Sequence, residues 1–248
     1  MPRSNIGRSH KRDVPTIACI NRATHPRFDF TSLVSALQKY VDKHLAPAWG
    51  TPAKLVKATR PRANAWTMMF VDRAKDIRHL RQDLKKIFGK NAKEVVAVHL
   101  FKGRPIAFVF VESVLEGSSP LTDRDRISLA ASHELAELLV DPGNNLWCHD
   151  GKGMFYAYEV CDAVEAKYFP INGFAMSNFV YPAFFEKFRK PNSAQFDHMK
   201  TVKLPFQILQ NGYAPVRKAG KVVRLRASAK KHRELRKEDR DLHRSTFR

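Results

Sequence analysis

Seven stretches of the chain show apolar patterns of helical or β type, and they organise everything that follows. Leu33, Leu37, Val41 and Leu45 stand four apart, which predicts a helix over 31–46 that ends near Pro47. Ile77, Leu80, Leu84, Ile87 and Phe88 share one face of 74–88 with Lys and Arg on the other, the pattern of a basic amphipathic helix. A third helix is predicted over 123–140, with Thr122 or Asp123 as its N-cap and Asp141-Pro142 as its stop. Between these lie β-type runs at 52–59, 65–72, 95–101 and 106–113, the last two joined by Lys-Gly-Arg-Pro as a hairpin. Asn172-Gly173 between apolar runs is the strongest hairpin signal in the chain. From there to Tyr213 the sequence is aromatic and Pro-rich and reads as loops over the core; no internal repeat is present. The expected class is α+β, a small mixed sheet flanked by helices.

Composition adds scale. The chain has 248 residues, 44% hydrophobic, with 17 Phe, enough to bury a core. No apolar run approaches the roughly 20 residues of a membrane-spanning helix. The basic N-terminus lacks the apolar stretch of a signal peptide, so a protein that stays in the cytoplasm where it is made is expected. Three cysteines, Cys19, Cys148 and Cys161, show no framework spacing and fit free thiols in a reducing compartment.

Charge divides the chain. Against 24 acidic residues stand 44 basic ones, a net charge of +20. Residues 214–248 hold 13 Lys/Arg and 4 Asp/Glu, and residues 1–13 hold 4 and 1, so more than half the excess lies at the two ends. The division expected is a basic N-terminal arm over 1–27, a body over 28–213 and a basic tail over 214–248, part of it helix-capable. Residues 1–13 and 214–248 are the expected contacts for nucleic acid or an acidic protein surface.

The chemistry is concentrated in Ser-His-Glu-Leu-Ala-Glu-Leu-Leu-Val-Asp-Pro at 132–142. At 3.6 residues per turn His133 and Glu137 lie on one face, and Asp141 falls near that stripe. An i, i+4 pair on a rigid helix supplies two metal ligands, and a Glu beside the first His is placed to take a proton from metal-bound water. Glu134 is therefore the candidate catalytic base, and zinc the first candidate metal, with other divalent ions admitted by the carboxylate at 137. Further ligands are expected from Tyr-Ala-Tyr-Glu-Val-Cys-Asp-Ala-Val-Glu at 156–165, where Glu159 and Asp162 would share a face of a helix. One would ligate and the other orient His133. In a strand entering a turn, only one of the two would reach the metal. The opposing interpretation makes His133, Glu134, Glu137 and Asp141 the solvent face of an ordinary amphipathic helix. His149, His198, Tyr156, Tyr158, Tyr168 and Tyr213 are secondary candidates for stabilising an oxyanion. Cys148-His149 with Cys161 lacks zinc-finger spacing.

These motifs, with His-Leu-Ala-Pro-Ala-Trp-Gly-Thr-Pro-Ala at 44–53, the run 171–185 and Pro-Phe-Gln-Ile-Leu-Gln-Asn-Gly-Tyr at 205–213, resemble a set of zincin-like proteins of bacterial and tailed-phage genomes. The resemblance covers roughly 30–213. A similar His-Glu-x-x-Glu-x-x-x-Asp-Pro string occurs in plant proteins of the Exordium type. The resemblance implies a zincin-like body with His133, Glu134, Glu137 and Glu159 or Asp162 at its site. The expected function is that of a zinc-dependent peptidase or, with no catalysis, a phage structural protein working through its arms.

Overall fold

In a computed structural model, residues 14–24, 28–78, 80–89 and 95–227 are described. Residues 1–13 and the helix-capable part of the tail lie outside them. The elements in order are β1 (Thr16–Asn21), α1 (Phe30–Tyr40), a π-helical turn (Val41–Leu45), α2 (Ala46–Trp49), β2 (Lys54–Lys57) and β3 (Trp66–Val71). They continue with α3 (Leu80–Phe88), β4 (Ala97–Phe101), β5 (Pro105–Phe110), α4 (Val111–Leu115) and α5 (Asp123–Val140). Six short strands follow: β6 (Trp147–His149), β7 (Phe155–Ala157), β8 (Tyr168–Ile171), β9 (Phe174–Ser177), β10 (Tyr213–Lys218) and β11 (Lys221–Arg226). The class is α+β, as the apolar spacing predicted. No helix among the described residues is long and apolar enough to cross a membrane.

The main sheet runs β2-β1-β3-β5-β4, parallel except for β4, which is antiparallel to β5. Side-chain alternation sorts its residues between two cores. Cys19, Met68, Phe70, Ala107 and Val109 face the larger core, which α1 and α5 complete. Ile20, Met69, Phe108, Phe110, Val98 and Leu100 face the smaller one, covered by Leu80, Leu84 and Ile87 of α3. Val98 and Leu100 turn toward α3, so His99 between them turns to the α5 side.

Three boundaries differ from expectation. The N-terminal arm drawn to residue 27 contains β1, an interior strand whose Ile17–Ile20 run is fully buried. The tail drawn from 214 begins inside β10, which with β11 forms a hairpin in a second sheet of order β11-β10-β7-β6. Pro47 does not stop the first helix. The π-helical turn shifts the hydrogen bonding, with Ala46 N donating to Val41 O, and Pro47 falls in the first turn of α2, where no N–H is required. The helix ends instead at Gly50, which is left-handed at φ 67°. At the strongest hairpin signal, β8 and β9 pair around Asn172 and Gly173 at φ 50° and 78°, as a two-residue turn requires.

Candidate metal centre

The helix that carries the motif is fixed at both ends and on both sides. Thr122 accepts from Asp125 N at its start. At its end both oxygens of buried Asp141 accept backbone hydrogen bonds, from Asn145 N at 3.0 Å and Leu146 N at 2.9 Å. Asp141 thus closes the helix and aims the following loop. Ser128 donates to Ala175 O, and Ser132 accepts from Ser177 N, which locks α5 along β9. Glu134, Glu137 and Asp141 are all buried, so this stripe is not a solvent face.

Two groups of potential ligands meet on α5. His133 Nε2 lies 3.3 Å from Glu137 Oε1 and 3.2 Å from Asp162 Oδ1. His99 Nδ1 lies 3.2 Å from Glu134 Oε2 and 3.6 Å from Glu137 Oε2. Glu137 belongs to both groups and turns a different oxygen to each. Its Oε1 also accepts from Cys161 N at 3.2 Å. Glu159 faces His99 rather than His133, its Oε2 standing 3.6 Å from His99 Nε2. That nitrogen is buried and makes no hydrogen bond.

The segment carrying Glu159 and Asp162 is β7 entering a turn, yet both carboxylates reach the cluster, because the site is wide enough to hold two histidines. The turn is held by Val180 N donating to Val160 O and Leu209 N donating to Ala163 O. Gly212 lies so close to it that a Cβ there would stand 2.5 Å from Ala163 O and 3.0 Å from Asp162 O.

Spacing bears on whether this cluster could also hold a metal ion. Charge-assisted N–H···O bonds close to about 2.7–2.9 Å, whereas ligand atoms about 2.0–2.1 Å from a tetrahedral ion stand about 3.3–3.4 Å apart. The four nitrogen–oxygen separations within the two groups run from 3.2 to 3.6 Å. They fit the edges of a coordination shell, and at 3.2 Å they also fit hydrogen-bonded pairs.

Electrostatics agrees. Four carboxylates and two imidazoles are packed where water is largely excluded, and the site takes up protons in response. Burial alone would lower His99, but Glu159, Glu134 and Glu137 outweigh it and raise its pKa to about 9. His133 is likewise held well above its ordinary value against burial, by Glu137, Cys161 and Asp162. Burial raises Glu137 to about 8, with His133 opposing and Asp162 and Glu159 adding to the rise. Burial also raises Asp162, opposed by His133. Divalent cations would replace these protons. Buried His, Glu and Asp groups of this kind are able to hold a metal ion.

His99 is the residue that sequence reasoning missed. It sits in Val-Val-Ala-Val-His-Leu-Phe, where a lone polar residue was the only signal. Among the secondary candidates, Tyr213 comes nearest in effect: burial, then Asp162, raise its pKa well above the ordinary value. His198 is engaged elsewhere, with His44 at 3.0 Å and Tyr181 Oη at 3.1 Å. Tyr156 packs at a tilt against Phe206 and Tyr158 stacks on Phe185, while Tyr168 is exposed on β8. His149 lies on the outer face of the second sheet. Cys19, Cys148 and Cys161 are all free thiols.

The chain matches no protein-family model, no curated protein and no solved structure. Its function is therefore argued from the geometry.

Proposed function

We propose that the protein is a zincin-like, metal-dependent hydrolase whose centre takes a pair of divalent cations, zinc first among them, bridged by Glu137. The observation that carries this reading is the division of Glu137 between two histidine–carboxylate groups, one oxygen to each. His133, Glu137 and Asp162 would hold one cation, and His99, Glu134 and Glu137 the other. Glu159 would orient His99 through its second nitrogen, the usual carboxylate–histidine–metal relay. Two divalent charges neutralise the four carboxylates, which a single ion leaves in excess. The mixed N/O ligand set suits zinc.

Cations bound there would lower the pKa of their water to about 7 and supply hydroxide at neutral pH. The chain's own part is to exclude bulk water and leave only a narrow rim to solvent. That rim is formed by His133, Glu159 and Glu134, whose side chains are 15%, 12% and 10% exposed. The proposal makes Glu134 a ligand, where motif spacing alone makes it a base. A peptide bond is the substrate suggested by the His-Glu-x-x-Glu resemblance.

Elemental analysis of the full-length protein after zinc loading tests the reading. Two zinc ions per chain are expected in the wild type, one in His99→Ala and almost none in Glu137→Gln. One ion per chain in the wild type would refute the pair, and none would refute the centre. Glu134→Gln separates its two roles: loss of one ion marks a ligand, whereas two retained ions with peptide hydrolysis abolished marks a base.

A further inference from the structure

The second sheet has an outer face unlike an ordinary solvated one. Its register places Trp147 and His149 of β6, Phe155 and Ala157 of β7, Tyr213, Pro215 and Arg217 of β10, and Val222, Arg224 and Arg226 of β11 on the same side. The opposite side, with Tyr156, Ala214, Val216, Val223 and Leu225, packs on the main core. A solvent-facing antiparallel sheet usually carries polar residues of both charge signs. The strands set four rings, three arginines and no acidic residue of their own on this side; Ala157 and Pro215 are buried, Tyr213 and Arg224 are only partly exposed, and Glu165 lies near Arg224 and Arg226.

Rings and guanidinium groups are interleaved. The Arg217 guanidinium lies 4.6 Å from the Trp147 ring centre, and that of Arg224 lies 3.9 Å from the Tyr213 ring centre. His149 and Phe155 rings lie 4.7 Å apart. Phe155 is 43% exposed, His149 and Arg217 are exposed beside it, and Arg226 is exposed at the far end of β11. Charges on the edge strand β11 would by themselves serve to block pairing with another chain. That role leaves the exposed rings unexplained.

We propose that this face binds single-stranded nucleic acid, with the bases stacking on the rings and the phosphates meeting the arginines. Unpaired bases are the ligand whose chemistry matches both halves of the pattern, since each offers a π-face and its backbone offers one negative charge per nucleotide. A duplex keeps its bases stacked inside and would use only the arginines. An acidic polypeptide would likewise leave the rings unused. Tyr213 and Arg224, at one end of this face, adjoin Asp162 of the candidate metal centre; Phe155, His149 and Arg217, at the other end, carry the proposed contacts.

Fluorescence anisotropy with labelled oligo-dT and oligo-rU, using the full chain, tests the proposal. Expected are binding that weakens steeply with salt, preference for single strands over a duplex of equal length, and about a tenfold loss of affinity in Phe155→Ala. Because basic residues outside the face also attract phosphate, Lys85→Ala/Lys86→Ala on α3 serves as the charge control. Arg217→Ala/Arg226→Ala should weaken binding more than that control. Melting temperatures unchanged in these surface variants keep folding out of the comparison. An unchanged affinity in Phe155→Ala, equal affinity for duplex, equal competition by polyglutamate, or no binding would each overturn the proposal.

Discussion

Gly212→Ala offers a direct test of how the second sheet positions the metal site. Gly212 needs no left-handed backbone; its constraint is proximity. A Cβ would meet Ala163 O at 2.5 Å, Ala163 C at 2.8 Å and Asp162 O at 3.0 Å. All three are backbone atoms, so no side chain can swing aside. Ordinary contact begins near 3.4 Å, so the 162–163 turn or the approach to β10 must yield by roughly 0.9 Å. Forcing an extra methyl group into packed structure costs about 1–3 kcal/mol. For a chain of this length that lowers Tm by about 2–12 °C. The same movement carries Asp162 away from His133, and disturbing the support of a metal ligand typically weakens metal affinity about 10–100-fold. Thermal melting of the metal-free protein measures the first effect, and zinc titration against a competing chelator measures the second. Gly220→Ala is the comparison: it lies in the β10–β11 turn at φ +77° with nothing within 4 Å of a Cβ. It should lower Tm through its backbone alone and leave zinc affinity intact. If Gly212→Ala keeps both Tm and affinity, the close approach does not position Asp162 and the reasoning fails.

Two other outcomes follow from the same contacts. The metal-free protein should lose stability as pH rises from about 5 through 9, because His99 and Glu137 both have folded-state pKa values above their unfolded ones. The folded state then binds more protons than the unfolded chain, so its advantage is present at low pH and lost through about 8 and about 9. Melting in a chelator across that range checks the sign; a flat or rising profile would contradict it, and zinc should flatten the slope. Asp141→Ala should cost about 1–3 kcal/mol per hydrogen bond left unmade at Asn145 N and Leu146 N. Chemical denaturation measures that loss, and an unchanged midpoint would show that the loop turns without this cap.

How far the sequence carried depends on the range of each signal. The helix over 123–140 was legible because Thr122 and Asp141-Pro142 mark its ends locally, and the Asn172-Gly173 hairpin because its turn chemistry is local too. His133 and Glu137 were legible as a pair because helical spacing is fixed. His99 was not, because its approach to Glu134 depends on the pairing of β4 with β5 and on the packing of α5 against them. Glu159 and Asp162 could be nominated but not assigned, since their partners come from different elements. The tail was misjudged from 214 because charge dominated: β10 and β11 alternate core and outer residues, but Arg and Lys on the outer face masked the apolar half. Four apolar residues within β1 were too few to stand out against the basic N-terminus.

The division of Glu137 also has a consequence for how the molecule opens. Its two histidine partners come from an edge strand and a helix, and Cys161 N binds the same side chain from the loop beyond β7. One carboxylate therefore joins chain segments from residue 99 to residue 161. Occupied by cations, such a junction acts as a staple that resists separation of its parts. Emptied, it holds protons that alkaline solution removes. Hydrogen exchange in the 141–165 region should then quicken before the main sheet begins to exchange, a weak point that cations in the proposed centre would close.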